Sequence, residues 1–346
     1  MINLKRLYRN YTRFSLTILG LAVAITALTL LTVRCTRKGV QQQPVEAPAT
    51  DYSKVTTPEF NADSAYSYVV DQLAFGYRHP GTKGHEQCAA YIARRMSGWC
   101  DTVIVQPFST TLWNGQTVQG KNIIASLSPE KEKRVVLAAH WDSRQWADHD
   151  TDTTNWRKPL LGANDGASGV AVLMEMARVM SAMQPNMGVD FVFFDVEDQG
   201  IPEWAGRYED NTWCKGSQHW AKNPHRMFYT AEYGILYDMV GTATPRYTKE
   251  EISMNFAPGL MKKVWSCAEA LGYGNVFVDE LSGAILDDHL YVNQILRIPM
   301  IDIVQNSPMY SFDQNWHTVG DNKDAVDKNS LKIVATVSMK VIYAEK

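Results

Sequence analysis

The sequence predicts an α/β fold: a single globular domain with a central, mostly parallel mixed twisted sheet flanked by helices, preceded by an N-terminal leader. Three observations carry this expectation. Two continuous apolar runs, Arg134 to Ala139 and Val189 to Phe194, have the length and composition of strands buried on both faces. Helix-like stretches alternate with the strands, so both faces of the sheet have a cover. No internal repeat or second boundary divides residues 59–346.

Residues 1–35 read as an N-terminal signal or membrane anchor. Phe14 to Val33 is uncharged and mostly apolar, and about 20 residues at roughly 1.5 Å each would cross a bilayer core of about 30 Å. Lys5, Arg6, Arg9 and Arg13 precede it, which keeps the N-terminus cytoplasmic and exports the remainder of the chain. Cys35 ends the run at the place of lipoprotein acylation, but Arg34 stands where a small residue is expected, so lipidation is the weaker reading. Residues 36–58, with Gln, Pro, Ala and Thr in no period, read as a flexible linker.

The domain then runs through helices at Ala65 to Leu73 and His85 to Met96 and strands at Val103 to Phe108, Asn122 to Leu127 and Arg134 to Ala139. A helix at Ser168 to Met183, strands at Val189 to Phe194 and Gly234 to Val240, and a helix at Pro258 to Leu271 come next. A strand at Pro299 to Val304 and a terminal helix at Asn329 to Ala344 complete it.

Residues 1–38 hold seven Lys or Arg and no acid, so a chain of net charge −3 leaves −10 on the remainder. That balance argues against nucleic-acid binding. Cys88, Cys100, Cys214 and Cys267 fall in the exported part, where disulfides are permitted, and four cysteines allow three pairings; the sequence does not choose among them.

Ligands of open α/β sheets gather at the carboxyl ends of strands. His140 and Asp142 end one strand, and Asp195, Glu197 and Asp198 end another. Asp165 sits in a Gly-Ala-Asn-Asp-Gly turn before a helix, Asp238 falls within a strand, and His317 follows Trp316 in a loop. Taken singly, each has an ordinary reading: Asp165 as a helix cap, His140 as a hydrogen-bonded strand end, Glu197 and Asp198 as loop charges. Asp238 differs, because a carboxylate in an apolar strand needs a partner. Together they make an acid-rich, histidine-containing shell suited to a divalent cation.

Five ordered motifs sharpen this. His-Trp-Asp-Ser-Arg at 140–144, Gly-Ala-Asn-Asp-Gly-Ala-Ser-Gly at 162–169, Phe-Phe-Asp-Val-Glu-Asp-Gln-Gly at 193–200, Asp-Asp-His at 287–289 and Trp-His-Thr at 316–318 together resemble the zinc-dependent aminopeptidase (M28-like) superfamily. Within it, the resemblance is to the glutaminyl cyclases of the animal-like type in their bacterial form. Three features favour that branch: Trp146-Ala147-Asp148 after the first motif, the Glu197-Asp198-Gln199-Gly200 run, and Trp316 before the last histidine.

The resemblance implies a zinc exopeptidase-like fold and an acyltransferase that converts N-terminal glutamine of peptides and exported proteins to pyroglutamate with loss of ammonia. It implies one Zn2+ at Asp165, Asp198 and His317, Glu197 as proton shuttle, Asp238 and Asp288 as a hydrogen-bonded acidic pair, and Trp204 and Trp316 as walls of the glutamine pocket. The leader, in a bacterial chain, implies a place on the periplasmic side of the inner membrane, anchored, lipidated, or released if the leader is cleaved. The alternative is a dinuclear zinc aminopeptidase, for which His140 and Asp238 supply the second-metal positions. An inert binding module on a membrane stalk ranks last, since no candidate position is replaced by an inert residue.

Overall fold

The computed structural model of the protein describes residues 50–306 and 312–346. The apolar run Phe14 to Val33, and with it the expected leader, lies outside them. Among the described residues no helix is long and apolar enough to cross a membrane. The compact unit begins at Thr50, earlier than the expected linker boundary, because Tyr52 inserts its ring into the main core.

Helices α1 (Ala62–Leu73) and α2 (Lys83–Met96) start two or three residues before their apolar spacing suggests, because side chains cap them. Asn61 accepts from the Ser64 amide and Thr82 from the His85 amide, satisfying donors that a helix start leaves free. Strands β1 (Thr102–Thr111) and β2 (Thr117–Leu127) form a longer antiparallel hairpin than expected. Its outer half is polar and carries no apolar signal. Strand β3 (Arg134–His140), helix α3 (Ala167–Ala182), strand β4 (Gly188–Phe194), helix α4 (Lys215–Lys222) and strand β5 (Tyr233–Asp238) come next.

After β5, strands β6 (Tyr247–Lys249) and β7 (Phe277–Leu281) pair in a small parallel sheet. Helices α5 (Glu251–Phe256) and α6 (Pro258–Ala270) lie between them in the chain. Helix α7 (Asp288–Tyr291), strand β8 (Met300–Val304) and helix α8 (Lys328–Tyr343) complete the domain.

The main sheet runs β1-β2-β4-β3-β5-β8. Its four-strand block β4-β3-β5-β8 is parallel and the β1–β2 hairpin joins antiparallel. Every residue of β3 and β4 is buried. Alternation sends Val135, Leu137 and Ala139 into a core shared with α1, α2, α3 and α8, and Val136 and Ala138 into a second core with Trp220 of α4. Both faces are therefore apolar, as the continuous runs require. The parallel block also brings the carboxyl ends of β3, β4 and β5 to one edge, where the chemistry-bearing residues lie.

Candidate active site

The fold delivers the five metal-type residues to one floor. His140 is the last residue of β3, Asp238 the last of β5, Asp198 comes after β4, Asp165 precedes α3, and His317 enters from the loop before α8. They form two triads that share Asp165: Asp165–Asp198–His317 and His140–Asp165–Asp238, each with ligand atoms within 4.8 Å of one another. His317 Nε2 lies 3.1 Å from Asp198 Oδ1 and 3.6 Å from Asp165 Oδ2. His140 Nε2 lies 2.9 Å from Asp165 Oδ1 and 3.2 Å from Asp238 Oδ1. Asp165 thus turns one oxygen to each triad. It can approach His140 so closely because the next residue is Gly166, where a Cβ would stand 2.4 Å from the His140 carbonyl oxygen.

Strand alternation alone would send Glu197 and Asp198 to opposite faces. The structure turns both inward by a clamp. Asp142, at the end of β3, accepts the amides of Glu197 (3.1 Å) and Asp198 (3.2 Å) and the Gln199 side chain (3.0 Å), around a left-handed turn at Val196 (φ 57°). Arg144 fixes the far side. Its guanidinium donates to both oxygens of Asp148 (2.6 and 2.5 Å) and to the Asp198 carbonyl (3.0 Å).

The two triads differ electrostatically. Burial, with Arg144 nearby, holds the His317 imidazole well below its ordinary range, so it is neutral with a lone pair to offer. Burial would also lower His140, but its bonds to Asp142, Asp165 and Asp238 outweigh this and raise it well above the ordinary value. His140 is thus held towards its protonated form, between the oxygens of Asp165 and Asp238. Asp198 is pushed well up by burial and by Asp165, and its Oδ2 has no hydrogen-bond partner. A buried carboxylate oxygen without a partner, beside a neutral imidazole, is a site short of a cation. Two carboxylate oxygens and one imidazole nitrogen with an open side fit a divalent ion that keeps one position free for substrate.

Above the floor lies a cavity of about 500 Å³, within the range of small-molecule sites. Glu197 lines it, and burial together with Asp287 and Asp198 raises its carboxyl well above the ordinary value. Asp238 is raised to about 7 by burial. The walls are aromatic. Trp316 stacks on His317 at 3.9 Å between centroids, and Trp213 lies parallel to it at 6.2 Å, tilted by 7°.

Two expected residues stand elsewhere. Trp204 is not a wall of this cavity: a short turn at Glu203–Ala205 carries it outward, against Trp146 (5.9 Å) and Trp156 (6.4 Å) and under Arg157. Trp213 takes that role. Its ring packs on Gly200, where a Cβ would stand 2.0 Å from the indole. Asp288 is not among the residues lining the cavity, whereas its neighbour Asp287 is. Asp287 caps α7 and lines the cavity with Asp238, whereas Asp288, one residue on, is fully buried with both carboxylate oxygens unpartnered. An acid directly before a short helix is a cap signal legible in sequence. Trp213 has no local signal, because its place depends on a contact thirteen residues back. The four cysteines of the domain are free thiols.

Residues 122–342 match the family model described as Peptidase family M28. The chain is similar to the glutaminyl cyclase of Bacteroides thetaiotaomicron, solved with N-acetylhistamine bound, at 46% identity over 84% of this chain and 100% of that one, with a TM-score of 0.83. It is similar to the glutaminyl cyclase of Tannerella forsythia at 48% identity over 84% and 100%, with a TM-score of 0.81. A Zn-dependent exopeptidase of Parabacteroides distasonis aligns at 46% identity over 83% and 99%, with a TM-score of 0.82.

Proposed function

The chain belongs to peptidase family M28, and on that footing we propose that it is a glutaminyl cyclase that converts N-terminal glutamine to pyroglutamate with release of ammonia. Relatives described as cyclases and as an exopeptidase share the fold at equal identity, so the decision falls to the site. The observation that carries it is the asymmetry of the triads: His140 closes its own with Asp165 and Asp238, while Asp165, Asp198 and His317 stand open to the cavity. That difference favours a single ion, where the exopeptidase reading needs two.

Asp165, Asp198 and His317 would hold a zinc ion, which when bound would supply Lewis acidity for the side-chain carbonyl of the glutamine and for the negative charge that develops there. The chain's own groups do the rest. Trp213 and Trp316 hold the side chain folded back on its own α-amine, so that nucleophile and electrophile of one residue meet. Glu197 takes a proton from the attacking amine and returns it to the departing nitrogen, and its raised proton affinity suits both tasks. Asp238 and Asp287 give the incoming ammonium an acidic floor. Walls that exclude water favour the ring over hydrolysis to glutamate.

The apolar run at 14–33 supports export, with N-terminal glutamine of exported proteins and peptides as substrate. Ammonia release from a Gln-peptide tests the reading. It should stop on chelation and return with one equivalent of zinc per chain. Release indifferent to chelation contradicts the metal assignment, and a requirement for two equivalents favours the dinuclear aminopeptidase, for which the shared Asp165 is the supporting feature.

A further inference from the structure

Cys214 stands directly before α4 with a left-handed backbone (φ 53°, ψ 40°), a conformation that costs a non-glycine residue energy and persists only where its surroundings enforce it. The enforcement is visible. Cys214 N donates to the Glu197 carbonyl at 3.0 Å and Lys215 N to the Val196 carbonyl at 2.9 Å, so the start of α4 is laced to the segment that carries the proposed proton shuttle. The side chain is aligned with the backbone. It makes no helix cap, and instead Sγ donates to Glu197 Oε1 at 3.2 Å.

The partnership is one-directional. Cys214 is fully buried, and its sulfur, Glu197 and Asp287 form a cluster within 4.8 Å. Burial, reinforced by Glu197, Asp288 and Asp287, pushes the thiol well above its ordinary value. It stays S–H and acts as a donor beside acids. With Oε1 engaged, Glu197 Oε2 points the other way, 4.0 Å from His140 Nδ1.

We propose that Cys214 is a positioning residue for the cyclisation: its S–H holds Glu197 Oε1 and leaves Oε2 as the single oxygen that exchanges protons with substrate. Nothing is oxidised and no bond to sulfur forms. The inference rests on the cyclase reading, but the hydrogen bond itself does not depend on it. A thiol is a weak donor, and its bond to Glu197 strengthens when that carboxyl is ionised, since a charged acceptor binds more strongly than a neutral one. Its loss is a moderate effect on a step in which carboxylate orientation matters.

The test compares Cys214→Ala, which removes the donor, with Cys214→Ser, which keeps one of similar size. Cys214→Ala should lower kcat roughly ten-fold with KM, zinc content and thermal midpoint close to those of Cys214→Ser. Cys214→Ser should recover most of the rate. A kcat unchanged in Cys214→Ala, or equally low in both variants, overturns the proposal, because a packing role would not distinguish them.

Infrared spectroscopy of the S–H stretch covers variants that fold poorly and a wild type that releases no ammonia. The band lost in Cys214→Ser should be shifted to low frequency in the wild type and should move back in Glu197→Gln. A band indifferent to Glu197 refutes the bond whatever the activity. Absence of ammonia from wild type with a shifted band refutes only the cyclase reading.

Discussion

The two ends of strands β3 and β4 both bury charge, and they handle it in opposite ways. At the amino end of β3, Arg134 meets Asp190 with two bonds (2.7 and 2.6 Å), and Asp190 also accepts from Ser126 and Tyr229. Arg134 spends its remaining donor on the carbonyls of Ser128 and Lys131. Neither side chain has an unpartnered buried atom. Burial works to raise the Asp190 carboxyl, but Arg134 and its other donors hold it below the ordinary value.

At the carboxyl end, Asp198 is just as buried and moves the other way; its Oδ2 lacks a partner, while His140 Nδ1 and His317 Nδ1 have only carboxylate oxygens at 3.5 Å, those of Asp142 and Asp148. Burial of charge is therefore not what marks a functional site. What separates these two ends is pairing: both oxygens of Asp190 are bonded, whereas Asp198 keeps Oδ2 bare.

The largest test of this contrast is Glu197→Gln at the carboxyl end. It should lower kcat by roughly 10³-fold or more while zinc content and stability hold. Loss of zinc would make Glu197 a ligand and dissolve the assignment. Arg134→Ala at the amino end should do the reverse. Leaving Asp190 buried without its partner costs about 3–5 kcal/mol of stability, measurable by denaturant unfolding, while the folded fraction keeps wild-type kcat/KM. A rate defect in the folded protein would erase the distinction between the ends.

A smaller effect separates the two tryptophans. Trp213→Ala should raise KM for a Gln-peptide roughly ten-fold, a loss of about 1.4 kcal/mol, and Trp204→Ala should leave it nearly unchanged. The opposite ranking would restore Trp204 as a wall.

The smallest effect is on pH dependence. In metal-free protein Asp238 and Asp321 are both raised to about 7 by burial, with Asp165 adding to Asp321. Acids whose folded pKa lies above the unfolded value of about 3.9 stabilise at low pH and lose that contribution as pH rises through the folded value. Above about pH 6.5 unfolded histidines no longer gain protons, so the acids dominate. The thermal midpoint of metal-free protein should fall between pH 6.5 and 8, and zinc should flatten the fall, since it binds the deprotonated carboxylates. A rising midpoint would mean that the acids are already compensated.

Visibility in the sequence divides along similar lines. The long elements are visible, because a buried strand such as Arg134–His140 or a helix such as Ala167–Ala182 repeats its signal over many residues. Of the floor residues His140 and Asp238 are too, since strand ends fix them, whereas Asp165 and His317 stand in loops and are legible only through the motifs around them. Helices of four to eight residues, such as α4 and α7, and the β6–β7 pair give too short a pattern. The walls are least visible. Whether Trp204 or Trp213 faces the cavity is decided by how the loop after Gly200 folds back, which no local period encodes. That Asp287 rather than Asp288 lines the cavity is likewise decided at one residue's resolution.

The central claim, cyclisation by a site with one open triad, is tested most directly by mass spectrometry of a peptide that begins with glutamine. Loss of one ammonia from the intact peptide, with chain length unchanged and no conversion to glutamate, is the predicted result. A released N-terminal amino acid with a peptide one residue shorter would contradict it.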